Sequence, residues 1–205
     1  DENPGDGVTW HISNKTSVSA PYSVRFGRED CDFYYNGPTE DCVPTGAFPD
    51  QGTPMNARLE TASFGLDPGV GTFLGFWVRM AAKEGFPGQD GSPPVDIDYL
   101  RVIVAQGNAW DVVWKSTDAF GTDNTTKGGW EYQAVNLSGY QGSVKVIFEF
   151  ISYAANNYLD PDGNPMEGVY LDDIRVQATC QDAYCNSVES ACESDGNGCT
   201  SDGCT

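Results

Sequence analysis

Apolar residues recur at every second position along much of residues 8–176. Leu74, Phe76, Val78 and Met80 alternate with Gly75, Trp77 and Arg79, and Leu100, Val102 and Val104 alternate with Arg101 and Ile103. A period of two marks a strand that buries one face. The turn-forming Gln106, Gly107 and Asn108 lead into Trp110–Lys115, which reads as the returning arm of a hairpin. Trp130–Leu137 and Val144–Ile151 supply two further strands, and Val169–Val176 closes the series. No long stretch shows the 3.6-residue period of an amphipathic helix. With 24 glycines and 12 prolines breaking the runs, the pattern predicts an all-β chain folded as an antiparallel jelly-roll β-sandwich.

The closing strand raises a problem, because Asp172 and Asp173 stand in its middle. Strict alternation sets Tyr170, Asp172, Ile174 and Val176 on one face and Val169, Leu171, Asp173 and Arg175 on the other. Whichever face is the core, one aspartate is expected among apolar neighbours. An unpaired buried carboxylate costs several kcal/mol, so the strand is expected to meet a partner there.

Residues 178–205 differ in character. Ser, Asp, Gly and Cys dominate, Lys and Arg are absent, and such a segment cannot build an apolar core. The expected organisation is a sandwich domain over 1–177 and a disulfide-stabilised Cys-rich tail over 178–205. The tail holds Cys180, Cys185, Cys192, Cys199 and Cys204 in the spacing C-x4-C-x6-C-x6-C-x4-C. Without a C-x-x-C pair or a nearby histidine, this spacing favours disulfides over zinc. Which cysteines pair is open, and five leave one for another chain, a further segment or a free thiol. Cys31 and Cys42 are placed to brace the long loop from Arg28 to Pro54. The usage of cysteine indicates an oxidising compartment, hence a secreted or cell-surface protein. The first residues have neither the basic end nor the apolar run of a signal peptide and read as a mature form or an excised piece.

Thirty acidic residues against 11 basic ones give a formal charge of −19. Such a surface repels phosphate backbones and anionic lipid, which argues against nucleic-acid partners and, with no apolar run of membrane-spanning length, against membrane insertion. The shortage of cations also points to divalent metal ions as partners for clustered acids, with Ca²⁺ the best match for oxygen donors outside cells.

Trp10-His11, Ser17–Gly27, Ala57–Thr61, Phe76-Trp77, Asp98–Val102, Trp130, Val135–Tyr140, Val146–Phe150 and Gly168–Ile174, in that order, resemble the extracellular jelly-roll modules of the MAM-like type. Such modules also accompany secreted bacterial proteases of the immune-inhibitor A kind. The resemblance implies a non-catalytic module serving adhesion, glycan contact or assembly. It also implies a structural Ca²⁺ where the first strand meets the last, held by Glu2 and Asp172, with Asp173 beside it. The Cys31–Cys42 loop and the Cys-rich tail are not part of that pattern.

Other candidates are read from residue type and spacing. Asp160, Asp162, Asn164 and Glu167 surround a Gly turn and offer alternate oxygens to a cation, although the EF-hand order is not met. A turn rich in Asx residues is the plainer reading. Tyr34, Tyr35 and Asn36 in one loop, and Tyr153, Asn157 and Tyr158 in another, combine aromatic faces with amides able to hold sugar hydroxyls. They support the rival reading of a carbohydrate-binding module attached to a secreted hydrolase. Catalysis has little support: His11 is the only histidine, no G-x-S-x-G occurs, and Asp96 and Asp98 lack the glutamates a jelly-roll glucanase strand carries. Sequons at Asn14, Asn124 and Asn136 matter only in a glycosylating host.

Overall fold

The computed structural model describes residues 8–28, 55–82, 98–121, 125–152 and 167–179. The alternating runs become strands in chain order: β1 (Val8–Ser13), β2 (Ser23–Arg28), β3 (Met55–Glu60), β4 (Phe64–Leu66), β5 (Gly71–Ala81), β6 (Tyr99–Gln106) and β7 (Ala109–Lys115). A five-residue helix, α1 (Ser116–Phe120), precedes β8 (Glu131–Asn136), β9 (Gly142–Ser152) and β10 (Gly168–Thr179). The β6–β7 hairpin closes at the anticipated place, with Gln106 paired to Ala109 and Gly107 taking a φ of 58°. Glycine enters that left-handed conformation at no steric cost.

Among the described residues all pairings are antiparallel and form two sheets. One runs β1-β2-β10-β5-β8, and the other β3-β9-β6-β7 with β4 added to β9. They stack as the jelly-roll sandwich the alternation predicts. The inner faces supply Phe26, Leu74, Phe76, Val78, Met80, Val169 and Leu171 from the first sheet, and Leu100, Val102, Val104, Val146, Phe148 and Phe150 from the second. Each is essentially fully buried, contributing on the order of 1.5–3 kcal/mol of transfer free energy.

Aromatic rings join the layers. Phe26 meets Phe150 at 4.8 Å between centroids, and Phe76 meets Phe148 edge-on at 5.2 Å. Indole N–H groups pin both flanks: Trp10 of β1 donates to the Ala57 carbonyl of β3 at 3.3 Å, and Trp114 of β7 donates to the Gln133 side-chain oxygen of β8 at 3.1 Å. A tryptophan needs such a partner when its ring is drawn inward. Helix α1, which has no periodic signal in the sequence, packs Phe120 against Trp114, and its buried Ser116 accepts the Leu100 N–H. The long loop anticipated at Arg28–Pro54 lies almost wholly outside the described residues, as does the Cys-rich tail.

Candidate functional site

Strand β10 does not alternate throughout. Its pairing with β5 runs in step to Asp172–Trp77 and resumes at Arg175–Gly75, so two residues of β10 oppose one of β5. Asp173 sits at this bulge with φ 46°, a region Asp enters more readily than most residues other than glycine. The bulge corrects the expectation that one aspartate shares the core. Val169 and Leu171 face inward, Tyr170 and Asp172 stand on the outer face, and Ile174 turns back against the core.

Both carboxylates have protein partners. Asp172 is only 8% exposed; its Oδ2 accepts the N–H groups of Val18 at 2.7 Å and Ser19 at 3.0 Å, and its Oδ1 accepts the Asp173 N–H at 2.7 Å. Asp173 accepts the Ser19 hydroxyl at 2.6 Å and pairs with Arg175 at 3.2 Å. The bulge thus latches the segment between β1 and β2 to the closing strand. These donors reach Asp172, the residue on which the resemblance places a cation together with Glu2, which lies outside the described residues.

Hydrogen bonds to a charged acceptor are worth more than neutral ones, and Asp172→Asn is expected to cost about 2 kcal/mol, or roughly 4–8 °C in Tm. Thermal unfolding in millimolar calcium and in excess chelator checks this. An equal loss in both fits a latch made by the chain alone, whereas a calcium-dependent gain that the variant loses would place a cation on Asp172.

Of the other sequence-derived candidates, Glu167 is described. Its carboxylate pairs with Arg79 at 3.0 Å and its carbonyl accepts Arg25 Nη2 at 3.2 Å, so it serves the outer face of the first sheet. There, Tyr170 lies beneath the guanidinium groups of Arg25 and Arg79, whose central carbons are 5.3 and 5.5 Å from its ring centroid. Trp130 meets the same ring edge-on at 6.3 Å and donates to the Thr16 hydroxyl. Further along, Tyr132 crosses over Gly75 to reach Trp77, with ring centroids 5.4 Å apart. A Cβ at Gly75 would overlap the Tyr132 hydroxyl oxygen, so glycine is what lets the ring lie there.

Glu2, Asp160, Asp162, Asn164, Tyr34, Tyr35, Asn36, Tyr153, Asn157 and Tyr158 lie outside the described residues. So do Cys31, Cys42, Cys180, Cys185, Cys192, Cys199 and Cys204. Among the described residues no group of three His, Cys, Asp or Glu side chains converges as a metal cluster. His11 rests with Nδ1 3.1 Å from the Thr9 carbonyl, and Asp98 is fully buried at the entry to β6.

The outer face of the second sheet holds residues that the sequence reading did not single out. The registers align side chains in rows across the strands: Lys145, Ala105 and Trp110; Glu60, Ile147, Ile103 and Val112; Arg58, Glu149, Arg101 and Lys115. In the last row Glu149 is completely buried although it faces away from the core. Its Oε1 accepts Arg58 Nε at 2.7 Å, and its Oε2 is held by Arg101. Burial alone would raise its pKa, but the hydrogen bonds and charges of Arg58 and Arg101 outweigh that and hold it below the usual carboxylate range. Arg58 then reaches Trp110, its central carbon 5.1 Å from the ring centroid. Ile103 and Ile147, in the row between, are closed from water to 2% and 1% exposure. Trp110 itself stays half exposed, with Val112 beside it.

No protein-family model matches the sequence, and no curated protein matches it. Among solved structures the chain is similar to the K1 cleaved adhesin domain of Lys-gingipain from Porphyromonas gingivalis. The identity is 16% over 86% of this chain and 87% of that one, with a TM-score of 0.45. No helix among the described residues is long and apolar enough to cross a membrane.

Proposed function

We propose that this chain is a non-catalytic, extracellular binding or assembly module that meets its partner through side chains displayed on rigid sheets. The observation that carries the reading is the state of the acids on those sheets. Asp172, Asp173, Glu149 and Glu167 are each engaged by protein donors or cations, which favours a structural use over proton transfer. Large aromatic side chains stand exposed on the same faces, Trp110 at 50% and Tyr132 at 49%. Exposed aromatics on a rigid scaffold are what recognition surfaces use. The cysteine pattern supports a secreted or cell-surface location. Calcium, from the sequence resemblance, is the structural cation this reading admits.

A carbohydrate-binding role is the second reading, favoured by Trp110, whose ring is held on one side by Arg58 and remains half open. The test pairs two measurements on the full chain. Incubation at micromolar concentration with chromogenic glycosides and peptide substrates, from pH 4 to 9, is expected to give no turnover. Sedimentation velocity and a polysaccharide panel are expected to show self-association or saturable glycan binding. Turnover that Asp172→Asn with Asp173→Asn abolishes would make the chain an enzyme and overturn the reading.

A further inference from the structure

We propose that the outer face of the second sheet binds an acidic polysaccharide, with a sugar ring stacked on Trp110 and its carboxylate or sulfate groups answered by the basic side chains around it. The inference rests on the binding-module reading and gives that module a ligand class. It starts from the distribution of charge. Arg58, Arg101, Lys115 and Lys145 all project from this one face, four of the 11 basic residues of the chain. Among the described residues only Glu60 and Glu149 project with them, so the face carries a formal charge of 4 − 2 = +2 on a molecule of −19. Asp111 lies on the same edge strand but on the inner side, where it accepts from Tyr140 and, after burial, contributes to raising the pKa of that phenol.

The arrangement of those charges is specific. Glu149 neutralises one guanidinium equivalent and fixes both Arg58 and Arg101, so neither loses much side-chain freedom on binding. Arg58 in turn holds the indole of Trp110. Lys145 and Trp110 flank Ala105 in a single row, and strands about 4.8 Å apart put their α-carbons roughly 10 Å from one another. The small Ala105 leaves a step between them. Lys145 pairs with Glu60 at 3.4 Å in an exposed ion pair, and a pyranose ring laid on the open indole face over that step brings its acidic substituent toward the same ammonium in competition with Glu60. Lys115 continues the basic row beyond Arg101 and suits a second acidic sugar along the chain.

Charge selects the occupant. An acidic chain of −19 repels anions at long range, so a basic patch kept within it is matched to an anionic ligand at short range. The exposed indole adds a flat apolar surface that suits the C–H face of a sugar.

Binding is tested with polygalacturonate, dextran sulfate and neutral dextran, read by quenching of tryptophan fluorescence and by calorimetry at 50 and 300 mM NaCl. Both anionic polymers are expected to bind, dextran not to, and affinity to fall severalfold at the higher salt. Trp110→Ala is expected to weaken binding at least tenfold and Trp110→Phe by less. Lys145→Gln with Lys115→Gln is expected to weaken it severalfold and flatten the salt dependence. Melting curves confirm that the variants remain folded. Equal binding of dextran, or undiminished binding by folded Trp110→Ala, overturns the proposal. Failure to bind any polymer, together with a dimer that Trp110→Ala dissolves, also overturns it and assigns the face to a second copy of the chain. In either case the non-catalytic reading stands, since only turnover removes it.

Discussion

Glu149→Ala is expected to destabilise the chain by about 3 kcal/mol, which for a chain of this size lowers Tm by roughly 6–12 °C. The side chain is fully buried and spans two hydrogen-bonded guanidinium groups on flanking strands, so its removal deletes contacts to both β3 and β6. Breaking a buried ion pair from one side typically costs about 3–5 kcal/mol. The lower end applies because Arg58 and Arg101 are partly exposed and regain water. Arg58 also loses its anchor beneath Trp110, so the indole emission should shift as exposure rises. Glu149→Gln keeps the shape and isolates the charge. Because the folded pKa of Glu149 lies below the unfolded value of about 4.3, its contribution is fully present above that value. It is lost as pH falls through the folded pKa. The Tm gap between the native chain and Glu149→Gln should therefore be widest near neutrality and narrow below about pH 4. A gap that does not change with pH would show that the charge contributes nothing.

Much of the scaffold was legible because short-range rules decide it. The β6–β7 hairpin follows from alternation on both sides of Gly107-Asn108, and β5 from its four inward apolar residues. Strand β9 carries apolar residues on both faces because both are shielded from water, Val146, Phe148 and Phe150 in the core and Ile147 at 1% exposure on the outer side. The bulge in β10 was not legible, since one extra residue leaves the composition of a strand unchanged and shows only in its register. The Glu149 clamp was hidden by distance along the chain: its partners are 91 and 48 residues away. A signal did exist, in that Arg58, Arg101 and Glu149 each occupy the mid-strand position between two inward-facing apolar residues. Two cations and one anion at equivalent positions of neighbouring strands invite cross-strand pairs, but sequence does not say which strands are neighbours.

The same clamp explains how one sheet face can be both charged and dry. Arginine stems are apolar, and Arg58 reaches from β3 toward Trp110 on β7 while its guanidinium serves Glu149, on a face where Ile103 and Ile147 are buried. Trp110 is therefore presented on a surface whose side chains are already ordered. On the opposite sheet, the Asp172 latch and the Tyr170 stack order the outer face by other means, through backbone donors and cation–π contacts. A recognition module benefits from both, because groups fixed before binding lose less entropy when they bind.

Phe76→Ala is expected to be the most damaging single change, at about 4 kcal/mol and roughly 8–16 °C in Tm. Phe76 is completely buried on β5, where it meets Phe148 of β9 edge-on at 5.2 Å and Trp114 of β7 edge-on at 5.4 Å. Truncation removes transfer free energy, leaves a cavity between two sheets that cannot collapse independently, and deletes two favourable ring contacts. Trp114 would then hold β7 to the first sheet chiefly through its bond to Gln133, so the strand that carries Trp110 loosens. Phe76→Leu retains most of the volume and is expected to cost less than half as much. Urea unfolding separates the outcomes: a lower midpoint with an unchanged m value for Phe76→Ala reports lost packing within the same fold. If Phe76→Ala costs no more than Phe76→Leu, the volume Phe76 fills between the sheets does not set the loss, and what remains belongs to its ring contacts with Phe148 and Trp114.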